Sequence, residues 1–217
     1  LEIDIQEGDV IVGFASYGKA TYESAYNSGI GSNGLTSGRH DLLHHDYYTK
    51  DPESFDIHTD EEYIYSGKFQ LTDSLEGTPL DIGKALLSPT RTYAPILNAV
   101  VENASLKSNV HGIIHCTGGA QTKVLHFVEK LHIIKDNLFP LPPLFRMIHE
   151  QSQTPWAEMY KVFNMGHRME LYIPQEIASD LIAISESFGI KAQIIGRCEK
   201  ANKKSLTIQS KFGTFEY

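Results

Sequence analysis

Cysteine is scarce: Cys116 and Cys198 are the only two among 217 residues. That is too few for a disulfide framework or a cysteine-based zinc site, so both read as buried thiols. No run approaches the ~18 consecutive apolar residues of a membrane span. The first residues, Leu1-Glu2-Ile3-Asp4-Ile5-Gln6-Glu7, lack the charged and apolar regions of a signal peptide. A cytoplasmic location without membrane contact is therefore expected. Also missing is any basic stripe interleaved with aromatics, and with a sequence pI of about 5.7 this argues against a nucleic-acid partner.

What is present is an ordinary globular composition, 41% hydrophobic and 10% aromatic, in a chain long enough to bury one substantial core. Charge is concentrated. Residues 41–81 hold eleven acidic and two basic side chains, a balance of −9 against −8 for the whole chain, so the remainder is near neutral. A near-neutral scaffold is compatible with handling a phosphorylated ligand, whereas a strongly negative one would repel it.

The pattern mixes strands and helices. Residues 9–14 read as a buried strand, 93–104 as a helix with one apolar face (Ile96, Leu97, Val100, Val101), and 174–188 as a helix opened by Pro174 and ended by Gly189. Strands are expected at 132–138, 169–173, 192–198 and 205–209, with short helices at 144–149 and 156–162. The order predicts an α+β domain, a layered mixed sheet with flanking helices. Its crossovers alternate too irregularly for a doubly wound nucleotide fold.

The most informative stretch is His115-Cys116-Thr117-Gly118-Gly119-Ala120, which follows the apolar Gly112-Ile113-Ile114 and precedes a helix-like run from Val124 to Leu131. It reads as strand, tight turn and helix start, where adjacent glycines and unpaired amides receive anions. A second block, Phe163-Asn164-Met165-Gly166, follows Glu158-Met159-Tyr160. Together with Gly8-Asp9-Val10-Ile11-Val12-Gly13, Ser32-Asn33-Gly34 and Leu86-Leu87-Ser88-Pro89-Thr90-Arg91-Thr92-Tyr93, the order resembles the aminoimidazole ribonucleotide synthetase family. These enzymes are also called phosphoribosylformylglycinamidine cyclo-ligases. The matching blocks run from about Gly8 to about Pro174.

The resemblance implies that residues 1–217 are the C-terminal domain of a larger two-domain protein. The family's N-terminal domain, with much of the ATP site and a homodimer-forming sheet, would precede Leu1. It also implies ATP-dependent ring closure of formylglycinamidine ribonucleotide, with ATP as cofactor and Mg2+ held largely by that other domain. Two segments look like insertions, 19–30 and 44–79. The second is acidic, and its polar composition predicts a surface excursion with little role in the core, carrying a hairpin strand at Glu62-Tyr63-Ile64-Tyr65.

Such chemistry needs a phosphate cradle, donors that orient the amide oxygen and a group for proton traffic. Thr117, Gly118 and Gly119 suit the cradle, Asn33, Gly34 and Asn164 the orientation of amide or ribose groups, and His115 the proton. Asn33 and Asn164 also fit plain turn or cap roles. Thr90 and Arg91 suit phosphate contact, although Arg91 could instead bridge to a carboxylate. Two departures stand out. Where the family reads His-Ser-Asn-Gly, this chain has Gly31-Ser32-Asn33-Gly34, and the third loop glycine is Ala120, tolerable if that position keeps negative φ. Loss of the imidazole keeps a second reading open, a non-catalytic or altered-substrate relative. His40 and His44, with His45 and Asp46 adjacent, have helical zinc-ligand spacing but no third ligand, so no metal site is expected in this chain.

Overall fold

A run of apolar residues with no solvent-facing alternation, Val10–Ala15 (β1), is buried at every position and forms an interior strand of the sheet. The computed structural model describes residues 3–217. Seven strands form one sheet in the order β2-β4-β1-β5-β3-β6-β7: β2 Gly112–His115, β3 Leu131–Lys135, β4 His167–Ile173, β5 Ala192–Lys200, β6 Ser205–Ser210 and β7 Gly213–Glu216. β1 pairs antiparallel with both β4 and β5, β2 antiparallel with β4, and only β3 and β6 run parallel among the described pairs. This is the α+β mixed sheet expected from the sequence.

Helices flank it. Those before β2 are α1 (Leu35–Leu42), α2 (Asp46–Lys50), α3 (Ile82–Leu86), α4 (Ala94–Glu102) and α5 (Ala104–Lys107). Those after β3 are α6 (Pro143–Ser152), α7 (Trp156–Val162) and α8 (Ala178–Ser187). α8 packs on β1 and β5 and meets α4, while α1 meets α6 and α3. Among the described residues no helix is long and apolar enough to cross a membrane.

Several expectations need correction. The strand predicted over 132–138 ends at Lys135, because the amides of Asp136 and Asn137 both turn back onto the Ile195 carbonyl at 3.1 Å. The helix-like run after the diglycine is a 3-10 segment, Ala120–His126. β7 had no sequence forecast; it closes a hairpin onto β6 through Lys211 and Phe212.

The acidic segment is not a surface excursion. Glu61–Tyr63 form a 3-10 turn rather than a hairpin strand, and the following Ile64, Tyr65 and Leu75 are among the most buried side chains. Tyr65, at φ 51, packs its ring against His40 at 4.7 Å, Tyr47 at 5.9 Å and Phe55 at 6.0 Å. The chain is also bridged from Leu43 and His44 to Phe69 and Gly67. Its acidic residues are mostly solvated, and its few large apolar groups sit at irregular spacing, so no periodic signal exposed their burial. Ile64→Ala should therefore cost about 3 kcal/mol of stability, within the range for buried aliphatic truncations. A urea midpoint unchanged from the parent would return the segment to the surface.

Candidate functional site

β2 delivers His115 to its C-terminal end, and the chain then turns through Gly118 (φ 56), Gly119 (φ 108) and Ala120 (φ 41). The conformation suits glycine at the first two positions. A side chain at Gly118 would meet nothing within 4 Å, and at Gly119 the nearest atom would be Thr122 Oγ1 at 3.6 Å. The glycines thus serve backbone geometry, with open space beside Gly118. Among the described residues their amides donate to no protein acceptor, which leaves two N–H groups available to an anion. Ala120 departs from the negative φ expected of it. It is buried at 1% exposure, and its packing sustains a left-handed conformation that costs ~1–2 kcal/mol for an L residue. Because a short 3-10 segment follows, the helix-dipole part of the sequence argument does not apply; free amides remain.

The second block forms the turn between α7 and β4. Asn164 is buried: its Oδ1 accepts from Ser16 Oγ at 2.6 Å and from the Gly166 amide at 3.1 Å, and its Nδ2 donates to the Gly29 carbonyl at 2.7 Å. Its side chain spends both acceptor positions and one of its two N–H donors on the protein, so Asn164 fixes this turn to the Ser16 and Gly29 backbone region. Gln121, directly after the diglycine loop, donates to the carbonyls of Asn164 at 2.6 Å and His167 at 3.2 Å. The two blocks are therefore one structure.

Beneath them lies a charged cluster. Lys135 Nζ contacts Glu170 Oε1 and donates to Gln121 O at 2.8 Å and Gln121 Oε1 at 3.1 Å. Glu170 also receives His167 Nε2 at 2.8 Å and the Tyr172 hydroxyl at 2.7 Å. Burial by itself would raise the Glu170 pKa, but the Lys135 charge and the His167 hydrogen bond outweigh it and hold the carboxyl down at about 2. Burial pushes the Cys116 thiol well up, so it stays protonated. Ligand atoms of Cys116, His167 and Glu170 lie within 4.8 Å of one another, yet the cation this carboxylate serves is the Lys135 ammonium. His40 and His44 do separate work: His40 Nδ1 accepts the Tyr65 amide at 3.3 Å, and His44 Nδ1 accepts the Asp46 amide at 3.2 Å.

Arg91 is corrected as a phosphate ligand. All five of its donors are spent, on both oxygens of Glu23 at 2.7 Å and on the carbonyls of Ala15, Tyr17 and Gly18 at 2.9–3.1 Å. It fastens the 19–30 segment, where Ala20, Asn27, Ser28 and Ile30 are buried. Thr90 is exposed beside it. Gly34 (φ 71) caps α1 against the Phe163 ring, and Asn33 sits half-buried just before it. His115 is half-buried, its Nε2 without a hydrogen-bond partner. Burial, then the nearby Arg168 charge, lowers its pKa and keeps it neutral at pH 7.

Gln121 joins the chain after Thr117, Gly118 and Gly119 to the Asn164 turn, the Phe163 ring joins that turn to Gly34, and His115 leads into the diglycine loop; Asn33 is linked to them as the neighbour of Gly34, and Thr90 and Arg91 enter none of these contacts. Sequence reasoning missed Gln121, Lys135, His167, Arg168 and Glu170. A signal existed for two of them: Lys135 follows Ile133-Ile134, and Glu170 divides Met169 from Leu171, charges set in apolar strands. A cavity of about 540 Å³ lined by Asp136, Phe139, Leu141, Tyr160 and Phe212 touches these motifs only through Met165.

Residues 6–209 match a family described as AIR synthase related protein, C-terminal domain. A phosphoribosylformylglycinamidine cyclo-ligase of Syntrophus aciditrophicus is 32% identical over 185 residues, 80% of this chain and 45% of the relative. Enzymes of that name from Methanopyrus kandleri (30% identical, 91% of this chain, 46% of the relative) and Bacillus subtilis (29%, 90% and 47%) are similar too. The chain spans about half the length of these relatives. Among solved structures, T. maritima PurL complexed with FGAR has a TM-score of 0.47 at 13% identity, covering 99% of this chain and 28% of that one. Thiamine-monophosphate kinase from Stenotrophomonas maltophilia has a TM-score of 0.47 at 14% identity, covering 94% and 51%.

The buried cluster makes a sharp prediction. Glu170→Gln strands the Lys135 ammonium and should cost about 3–5 kcal/mol, whereas adding Lys135→Met to Glu170→Gln should recover part of that loss. The folded carboxyl lies below its unfolded pKa, so its contribution is full above the ordinary carboxylate range and disappears as pH falls through about 2. Urea titrations of both variants, and of the parent from pH 6 to pH 2, check this. Additive losses in the double variant would mean that the two charges are not coupled.

Proposed function

Because the chain belongs to the AIR synthase related protein family, matching its C-terminal domain, we propose that it supplies part of the site of an ATP-dependent cyclo-ligase of purine biosynthesis. The substrate in this reading is formylglycinamidine ribonucleotide and the product aminoimidazole ribonucleotide. ATP, when bound, supplies the γ-phosphoryl group that makes the formyl oxygen a leaving group. This chain's residues bind and orient. The Gly118 and Gly119 amides and the Thr117 hydroxyl receive phosphoryl oxygens. Asn33, whose side chain makes no hydrogen bond to another described residue, is available to orient an amide or ribose group. His115, neutral with a free buried Nε2, accepts a proton as the attacking nitrogen closes the ring.

The observation that carries this reading is the pair of glycine amides without a protein acceptor among the described residues, in the loop that follows His115, whose Nε2 is likewise unpartnered. Two buried carboxylates near these loops are already spent on cations, Glu170 on Lys135 and Glu23 on Arg91. In this reading Mg2+ is held by the rest of the longer protein, which also carries most of the ATP site and the homodimer interface. The second reading, a non-catalytic or altered-substrate relative, is favoured by Gly31, which stands where the resemblance implies an imidazole.

The test is substrate-dependent formation of ADP and of an aromatic amine from formylglycinamidine ribonucleotide, ATP and Mg2+ by the full-length protein. Binding of the ribonucleotide with no ADP formed selects the second reading. Two variants should fail differently. His115→Ala should lower kcat by roughly 100-fold with little change in KM. Gly119→Val, forced at φ 108 into a region that β-branched residues avoid, should abolish binding of the ribonucleotide phosphate. If His115→Ala keeps kcat within a few-fold while Gly119→Val keeps full affinity, both assignments fail.

A further inference from the structure

Three long cationic side chains are buried among the described residues: Arg91, Lys135 and Arg168. Arg91 holds Glu23 and Lys135 holds Glu170. Arg168, only 2% exposed, pairs with no carboxylate among the described residues. Its Nη2 donates to the carbonyls of Gly29 at 3.1 Å and Ile30 at 2.5 Å, and those two contacts account for its hydrogen bonds, so Nη1 and Nε have no protein acceptor. The titratable and charged groups that face it are Arg91, Tyr93 and Cys116, together with His115. None is an anion near neutral pH, because burial pushes the Tyr93 and Cys116 pKa values up and His115 down. Neither Nη1 nor Nε is among the fully buried unpartnered atoms, so this guanidinium has three N–H groups unspent on protein, no carboxylate partner among the described residues and an edge open to solvent from which an anion can reach it.

Its position says which site it serves. The Arg168 carbonyl accepts the Cys116 amide at 2.6 Å, directly before the diglycine loop, and the guanidinium fills the space that a side chain at Gly31 would need. A Cβ at residue 31 would land on Nη1, Nη2 and Cζ of Arg168. Gly31 is the position at which the resemblance implies an imidazole, and in this chain the space beside it is filled by the buried cation.

We propose that Arg168 is an anion-binding residue of this site, standing in for that imidazole and gripping a phosphoryl group through Nη1 and Nε, with Gly31 kept small to admit it. The identification of the ligand as a phosphorylated substrate rests on the reading above; the anion site itself does not. The exchange replaces a group that titrates near neutrality with one that is always charged. Anion affinity here is therefore independent of pH across the range in which a histidine would lose its charge.

Sulfate, a dianion throughout that range, is the probe, titrated calorimetrically into the full-length protein and its variants. Arg168→Lys, which keeps the charge but loses the paired N–H grip, should bind more weakly than the parent and more tightly than Arg168→Gln; Arg168→Gln should bind at least tenfold more weakly than the parent, and Gly31→Ala should weaken binding by displacing the guanidinium. Parent affinity should be flat from pH 6.5 to 8. The reciprocal exchange, Gly31→His with Arg168→Gly, should bind sulfate only as pH falls through about 6.5. Displacement of sulfate by ribose 5-phosphate assigns the subsite to a sugar phosphate, and displacement by ADP assigns it to the nucleotide. Displacement by neither overturns the proposal, as does Arg168→Gln with parental sulfate affinity. Should Arg168→Gln not fold, the Nε–H resonance of Arg168 in the unmodified protein decides: it shifts on sulfate saturation, or the proposal is wrong. A protein that forms no ADP yet binds sulfate through Arg168 ends the cyclo-ligase reading and leaves this one standing.

Discussion

The site depends on an ion pair that never touches it. Lys135 at the end of β3 and Glu170 within β4 lie in strands that are not neighbours, since β1 and β5 run between them, and both side chains are 0% exposed. Two such charges persist in a core only when each remaining donor and acceptor is satisfied. His167 and Tyr172 complete the carboxylate, and Gln121 completes the ammonium. Through its amide nitrogen Gln121 then reaches the carbonyls of Asn164 and His167. The chain after the diglycine loop and the chain before β4 are thereby held by one polar network rather than by apolar contact alone.

That arrangement explains why so many polar residues near the site are unavailable to a ligand. Asn164 spends its amide on Ser16, Gly29 and Gly166, and Arg91 spends its guanidinium on Glu23 and three carbonyls. Each braces the loop from Ala15 to Gly31 from one side. Groups with unspent capacity lie together: the Gly118 and Gly119 amides, His115 Nε2 and two nitrogens of Arg168. A preorganised site consists of such a division, in which structural polar groups are saturated so that functional ones are fixed but free.

Much of this was legible in sequence. The β1, β4, α4 and α8 patterns, the diglycine turn and the Phe163-Asn164-Met165-Gly166 block all sat where periodicity and turn chemistry placed them. The failures have physical causes. Val124 and Leu125 have helical spacing, yet the left-handed Ala120 and the pull of Gln121 into the core tighten the segment to 3-10 geometry. Ile64, Tyr65 and Leu75 are buried without any period to announce them. Arg91 looked like a phosphate ligand because a sequence does not show that Glu23 lies opposite.

The sequence by itself determined local matters: the strands with a strong apolar pattern, where glycine permits left-handed backbone, and which motifs mark the family. Backbone propensity and hydrophobic period act over a few residues, and a chain records them directly. Only the tertiary structure decided which polar groups are consumed and which are left over. Asn164 meets Ser16 across 148 positions, and Arg168 fills the space beside Gly31. Whether a donor is spent depends on the partner that folding brings to it, and that partner is recorded nowhere near it in the chain.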